Sequence, residues 1–478
     1  MSSDRPNREV MVNERAEPDL QDPDLFFRDA DGEVNAGFVA RVASLIARKD
    51  HDALAAIVED LHEADLGGLL EALDTEDRPL FIEILGKDFD FTALTEVDDA
   101  VREEILDELE PETVAEGVRD LDSDDAVYIL EDMDEADKAE ILDKLPATER
   151  IALQKSLDYP EGTAGRRMQT EVIAVPLFWT VGQTIDFMRD TQDLPETFYE
   201  IYVVDPAHRF VGAVALDKLL RTKRPAKMSL LADPERKTVD AADELTDVAQ
   251  MFKRYNFVSA PVLDDARRLV GVMTIDDIVD ILDEEADDEI KALGGVKGDE
   301  ELSDTVPAIA KSRFQWLFIN LLTAFFAASV MKLFEGSLEK MVALAVLAPV
   351  VASQGGNAAT QTMTVAVRAL ATGELGNWNI SRFLTRELLV SFINGAAFAL
   401  ITGTIAALWF GNQALGVVIG LAMIANLFAA ALAGAAVPII LDKLGVDPAV
   451  SSGTFVTTVT DVVGFFAFLG IATLWFGL

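Results

Sequence analysis

Long stretches without a charged residue constrain the fold of this chain more than any other feature. Three such stretches span residues 314–331, 341–367 and 388–441, and a fourth apolar stretch, 451–478, holds a single charge. About 20 apolar residues are needed to cross the hydrocarbon core of a bilayer. The third stretch is long enough for two crossings and is divided at Gly411. The sequence therefore predicts five membrane-spanning helices.

Basic residues indicate which loops of this apolar half face the cytoplasm. Lys311 and Arg313 precede the first span, and Arg368, Arg382 and Arg386 lie between the second and the third. Because cytoplasmic loops are rich in Lys and Arg, both loops are expected inside. No secretory signal opens the chain, so the N-terminus is predicted to be cytoplasmic and the C-terminus extracytoplasmic. The sequence predicts a multi-pass protein of the cell (inner) membrane.

The net charge of −43 lies in the first 312 residues, because seven acids balance seven bases from Arg313 onward. Such an acidic half makes nucleic acid and anionic lipid poor partners. Adaptation to high salt and a specific need to bind cations both explain the excess. With no cysteine and only three histidines, thiolate sites are excluded and a zinc cage is not expected. Any bound metal should take oxygen ligands.

Two repeat patterns organise the acidic half. From Ile57 to Leu157 apolar residues recur every twelve positions in two series four residues apart, which predicts short helices that stack into an all-α solenoid. Further along, residues 202–214 match residues 261–273 at an offset of 59, each copy with a helix before a strand pair. These copies resemble a tandem CBS pair, an α/β module that in other proteins also serves only for dimerisation.

Three segments could carry chemistry. Asp461 lies inside the fifth span, where a carboxylate costs at least about 2.5 kcal/mol and should face water, a cation or a protein partner. In the second span the polar run 353–361, with paired glycines, predicts a helix break that offers carbonyls to a hydrated cation; tight packing of small residues is the alternative. Residues 276–289 hold nine acids and no base, so that magnesium should bridge them unless they are merely solvated.

The order of solenoid, CBS pair, acidic connector and five spans resembles the MgtE family of magnesium transporters over nearly the whole chain. The matches include Gly355-Gly356-Asn357, and Gly445-Val446-Asp447-Pro448-Ala449 followed by Thr458 and Asp461. The resemblance implies a homodimeric magnesium channel with passive influx, gated by cytoplasmic magnesium, and no enzymatic activity. The implied pore residues are Asp461, Asn357, Gly356, Thr458 and Asp447. The implied regulatory metal ligands are Asp124, Asp276, Asp277, Asp280, Glu284, Glu285, Asp288 and Glu289.

Some positions depart from the family pattern. Gly453 stands where relatives often have asparagine, and Tyr128 replaces an acid that is expected one turn after Asp124. Family members also bind ATP in the CBS cleft. Thr274 and Asp277 match the ribose-contacting pattern of the second CBS copy, whereas the first copy lacks it. ATP binding is therefore left open as a secondary role.

The predicted architecture is a multidomain membrane protein with five parts. They are a poorly ordered start (1–35), an all-α solenoid (36–160), an α/β tandem CBS pair (161–282), an acidic connecting helix (283–312) and a five-span α-helical pore domain (313–478). The chain lacks a Walker motif, a phosphorylated-aspartate signature and paired intramembrane charges, which favours passive conduction. A cation-coupled carrier or exporter and a non-transporting membrane sensor are the alternatives. Manganese, cobalt and nickel are alternative ions.

Overall fold

A computed structural model of the chain describes residues 27, 28, 32 and 34–478, except 60, 132, 192, 193, 196, 297, 299, 301–304, 377 and 447. Most of the predicted poorly ordered start therefore lies outside the described residues. The chain divides into two compact units. The first is Met1–Leu245 with Phe257–Ile275, and the second is Thr246–Asn256 with Asp276–Leu478.

The first unit begins with a helical domain that has one continuous apolar core. Phe27 and Phe38 pack edge to face at its start, and the core extends to Leu153. Its helices are α1 (Ala36–Arg48), α2 (His51–Val58), α3 (Glu63–Ala72), α4 (Asp77–Leu85), α5 (Asp99–Glu108), α6 (Pro111–Arg119), α7 (Ser123–Glu131), α8 (Glu135–Lys144), α9 (Ala147–Leu157) and the short α10 (Ala164–Arg167).

The twelve-residue period correctly predicts the consecutive helices α5 to α9. It fails between α4 and α5, where short 3-10 turns at Gly86–Asp88 and Phe91–Leu94 replace the expected α-helix. Gly86 ends α4 with a positive φ of 54°, which glycine adopts at little cost. Phe91 then turns into the core and lies where a side chain at Gly117 would be, 2.2 Å from an added Cβ. Aromatic packing replaces one helical unit here.

Two three-stranded sheets follow, and they confirm the predicted CBS pair. In each sheet the first two strands are parallel and the last two antiparallel. The sheets share an apolar cluster that includes Tyr202 and Leu263. The elements in chain order are β1 (Ala174–Pro176), α11 (Val181–Asp190), β2 (Glu200–Val204), β3 (Phe210–Ala215), α12 (Leu216–Leu220), α13 (Met228–Leu231), β4 (Val239–Asp240), α14 (Leu245–Tyr255), β5 (Ser259–Leu263) and β6 (Leu269–Thr274).

The second unit contains a long acidic helix and the membrane helices. Five helices of the described chain are long and apolar enough to span a membrane, as predicted. Helix α20 is the most buried of the five and packs against α18, α19 and α21. The helices are α15 (Ile275–Leu293), α16 (Val306–Lys332), the short α17 (Glu335–Lys340), α18 (Val342–Ala371), α19 (Ile380–Phe410), α20 (Gln413–Lys443) and α21 (Pro448–Phe476).

Candidate ion pathway and regulatory helix

Asp461 lies about halfway along α21 and is partly buried. The hydroxyls of Thr457 and Thr458 donate to the backbone carbonyls of Gly453 and Thr454, at 2.9 and 2.6 Å. A threonine hydroxyl that donates in this way keeps its oxygen lone pairs as acceptors. This stretch of α21 therefore presents oxygen atoms beside a carboxylate at mid-depth, which suits a hydrated divalent cation.

The predicted break in the second span is wrong, because α18 is a continuous helix through both glycines. Gly355 is buried, and a Cβ there would lie 2.1 Å from the amide nitrogen of Asn426 on α20. Close helix packing therefore accounts for this glycine. Gly356 has open space where its Cβ would be, and Asn357 is exposed. Because α18 is unbroken, it can offer an ion its side-chain oxygens rather than free backbone carbonyls.

The two helices that carry these residues pack against each other. Ala359 and Met363 of α18 share an apolar cluster with Val456 of α21, and Ala359 and Val456 each lie two residues from a predicted ligand, Asn357 and Thr458. The fold thus brings the predicted pore residues onto neighbouring helices of one bundle. Asp447, the remaining predicted pore residue, lies outside the described residues.

The last turn of α15 lies against these same helices. Ala292 is buried in the cluster formed with Met363 and Val456. Glu289, one of the predicted regulatory residues, forms an ion pair with Arg368 near the end of α18. After α15 the chain turns back, and Lys291 donates to the carbonyl of Gly298 at 2.7 Å. The acidic helix is therefore fastened to the membrane bundle at its C-terminal end.

The other predicted acids of α15 lie on a single helix, as expected. Asp276 and Asp277 occupy its first turn, and the rest follow without an intervening base. Within the described residues no three carboxylates or imidazoles converge closely enough to hold a metal ion. Magnesium usually keeps several waters and is bound through one or two carboxylates, so it does not require such a cage.

The predicted solenoid site has a strongly cationic neighbour. Asp124 lies in the first turn of α7, and Tyr128 follows one turn later. The guanidinium carbons of Arg102 and Arg167 both lie over the Tyr128 ring, 4.3 and 4.0 Å from its centroid. Arg167 also pairs with Glu131 at 2.8 Å. Where an acid was expected, this chain has an aromatic ring that stacks with two fixed positive charges.

A small cavity of about 20 Å³ lies beside Thr274. Tyr202 and Glu200 line it, and Glu200 pairs with Arg236 at 3.0 Å. Burial raises the pKa of Glu200 despite the attraction of Arg236. Thr274 ends β6, while Asp277 belongs to α15.

Asn426 was missed in the sequence although it is a polar residue inside the 54-residue uncharged stretch. It is fully buried, and its amide nitrogen donates to the carbonyl of Val351 at 2.8 Å. The sequence shows only a single amide among apolar residues at this point, and that pattern does not distinguish a buried side chain from a lipid-facing one.

Comparisons with known families and proteins match most of the chain. A family model for the divalent cation transporter MgtE matches residues 348–471, one for the MgtE intracellular N domain matches 61–162, and a CBS domain model matches 231–284. The magnesium transporter MgtE of Thermus thermophilus is 32% identical over 443 residues, 89% of this chain and 95% of that protein. That of Enterococcus faecalis is 34% identical, over 67% of this chain and 71% of that protein.

Solved structures give matches to the soluble part. The cytosolic domain of the Mg²⁺ channel MgtE in complex with ATP is 28% identical and covers 51% of this chain and 99% of that chain, with a TM-score of 0.47. The structure of the soluble part of a magnesium transporter is 26% identical and covers 52% of this chain and 98% of that chain, with a TM-score of 0.46.

A helical domain, a CBS pair and five long apolar helices define a membrane transport protein with an attached soluble module. Its identity to two relatives exceeds 30% over most of their length. The chain belongs to the MgtE family of magnesium transporters, and it is a transporter and not an enzyme.

Proposed function

We propose that this chain is a magnesium-selective channel that admits Mg²⁺ passively and is gated by cytoplasmic magnesium. One observation carries the proposal: the last turn of α15 packs through Ala292 against α18 and α21, the helices of Asn357 and Asp461. An acidic helix that ends at the candidate pathway can couple cation binding to access. One helix would thus join the proposed sensor to the proposed pore.

Asp461 is proposed to bind the conducted ion, with Asn357, Gly356 and Thr458 along the same path. A carboxylate at mid-depth in a bilayer costs at least about 2.5 kcal/mol, which a cation or water must offset. Two copies of the chain would bring two carboxylates to one axis, where their repulsion favours a divalent ion over a monovalent one. We therefore expect a functional homodimer, and the mass of the detergent-solubilised protein checks this.

The gate is proposed to respond to magnesium bound by the acids of α15 and by Asp124. Bound cations offset the repulsion among the carboxylates and hold the end of α15 against the membrane helices, which closes the path. Without cations the acidic helices of the two copies repel one another, and the path opens. A cytoplasmic position of α15 is consistent with the basic loops before the first span and between the second and third spans, which are also predicted to be cytoplasmic.

The test is magnesium uptake by liposomes that contain the purified protein. Asp461→Asn should reduce flux to background while the protein stays folded, because the substitution keeps the shape and removes the charge. Asp442→Asn, a matched change of an exposed acid at the end of α20, should conduct like the unmodified protein. Normal flux from a folded Asp461→Asn variant would eliminate the pore assignment. The same assay ranks manganese, cobalt and nickel as competing ions.

A cation-coupled carrier is the second transport mechanism to be tested. A channel should conduct in response to membrane potential and the magnesium gradient alone. A requirement for a proton or sodium gradient in the same liposomes would favour the carrier. ATP binding stays a secondary prediction, which titration of the purified protein with ATP would test.

A further inference from the structure

Asn426 is a buried amide in the middle of the membrane bundle. Its nitrogen donates to Val351 on α18, but its oxygen accepts no hydrogen bond from the described part of the chain. A buried polar atom without a partner costs more free energy than an apolar side chain of the same shape would. The amide must therefore contribute something besides filling the space.

Two glycines on different helices make room for this one side chain. A Cβ at Gly355 of α18 would lie 2.1 Å from the amide nitrogen, and a Cβ at Gly464 of α21 would lie 2.8 Å from it. At both positions the three nearest atoms all belong to Asn426. The amide thus occupies the point at which α18 and α21 both approach α20.

The two glycines are also neighbours of the proposed ion ligands. Gly355 precedes Asn357 by two residues, and Gly464 follows Asp461 by three, which is less than one helical turn in each case. A side chain wedged between the glycines therefore fixes the separation of the two ligand-bearing helix segments.

We infer that Asn426 is a positioning residue of the ion pathway, whose amide holds α18 and α21 at the spacing at which Asn357 and Asp461 act on the same hydrated divalent cation. This inference rests on the proposed function. Residues that orient metal ligands from outside the site typically change metal affinity by about 10–100-fold when mutated. Asn426 should behave in the same way although it does not touch the ion.

The test measures magnesium uptake against magnesium concentration, and the ratio of magnesium to calcium uptake, in liposomes. Asn426→Ala and the equal-sized Asn426→Leu should each raise the half-saturating concentration about tenfold and lower the ratio. Ser391→Ala is the matched control. Ser391 lies on α19, and its hydroxyl donates a buried hydrogen bond to the carbonyl of Leu427, the residue that follows Asn426 on α20. The control should lower thermal stability and leave both transport quantities unchanged.

A compensating pair tests the geometry independently. Gly355→Ala alone should reduce the yield of folded protein, since its methyl group would overlap the amide, and combining it with Asn426→Ala should restore folding. The double variant should still show the raised half-saturating concentration. The inference is overturned if folded Asn426 variants keep the transport quantities of the unmodified protein, or if the pair fails to restore folding. Absence of magnesium uptake by the unmodified protein would instead refute the proposed function.

Discussion

Neutralising three acids of α15 should stabilise the helix and yet make the channel harder to close. The change is Asp276→Asn, Asp280→Asn and Glu284→Gln. On the helix these residues form three like-charged pairs at i,i+4 spacing, the third with Asp288. Each such pair destabilises a helix by about 0.2–0.5 kcal/mol, and the three sum to about 0.6–1.5 kcal/mol. Neutralising Asp276 in the first turn removes about 0.3–1 kcal/mol of favourable interaction with the helix dipole, so the net stabilisation of α15 without magnesium is at most about 1.2 kcal/mol. This like-charge repulsion acts within α15 in the open and the closed channel alike, so it largely cancels from the gating equilibrium. The weaker repulsion between the acidic helices of the two copies favours closure, so the rise calculated from the lost magnesium sites is an upper value.

The effect on gating follows from the number of magnesium sites. Moving a two-state equilibrium from 1:99 to 99:1 takes about 5.5 kcal/mol. A site selective for the closed state supplies about 1.4 kcal/mol at ten times its dissociation constant, so about four sites are needed. With four equal sites the gate is half closed at about twice the dissociation constant, and with two sites at about nine times. If the triple change removes two sites, the half-closing concentration should rise about fourfold.

Patch recordings with cytoplasmic magnesium stepped across the millimolar range measure this concentration, and hydrogen exchange of α15 measures its stability. A control variant with the same change in charge, Glu103→Gln, Asp137→Asn and Glu140→Gln, alters three exposed acids of the helical domain and should shift neither quantity. A half-closing concentration that stays constant or falls in the folded triple variant would refute the reasoning. So would a loss of helix stability, since unfolding would then explain the altered closure.

Two further predictions concern the stacking of arginines on Tyr128 in α7 and the ion pair between α15 and α18. Tyr128→Leu should weaken protection of α7 against hydrogen exchange by about 1–4 kcal/mol, because it removes the ring on which two guanidinium groups stack, while Tyr128→Phe should keep the protection. Equal exchange in the two variants would contradict the stacking with Arg102 and Arg167. Arg368→Ala should raise the magnesium needed for closure, whereas Arg368→Lys, which keeps the positive charge opposite Glu289, should raise it less, since an exposed pair contributes about 0.2–1 kcal/mol. Patch recordings in which Arg368→Ala closes at the magnesium concentration of the unmodified protein would show that this contact does not hold α15.

The parts of the fold that depend on local pattern could be predicted from the sequence. The i,i+4 stripes of α5 to α9 and the length of the uncharged stretches each define an element without reference to distant residues. The predicted unit near Ala93 failed because Phe91 enters a space left by Gly117, a residue more than two units away in the chain. Tertiary packing of one aromatic ring overrode a regular pattern.

In the candidate site, too, residues that stand out in the local sequence could be predicted, whereas contacts between distant residues could not. Asp461 could be predicted because a carboxylate in an apolar run is conspicuous on its own. The role of Gly355 was misread, since only the fold shows that Asn426 approaches it from another helix. The ion pair of Glu289 with Arg368 joins residues 79 positions apart, and a run of acids gives no sign of which member will find a base. Long-range partners are set by packing, which the sequence does not display.

The small size of Ala292 has a consequence for how the protein responds over time. The end of α15 buries one methyl group among the membrane helices, with Leu293 only partly covered. Burial of each such group is worth about 0.8 kcal/mol, which is comparable to the free energy contributed by a single weakly held ion. In the proposed gate a contact this shallow would be readily reversed, so that the closed state would last only while magnesium is abundant. A larger apolar side chain at this position would hold the same closed state more strongly, and reopening would then require a lower magnesium concentration.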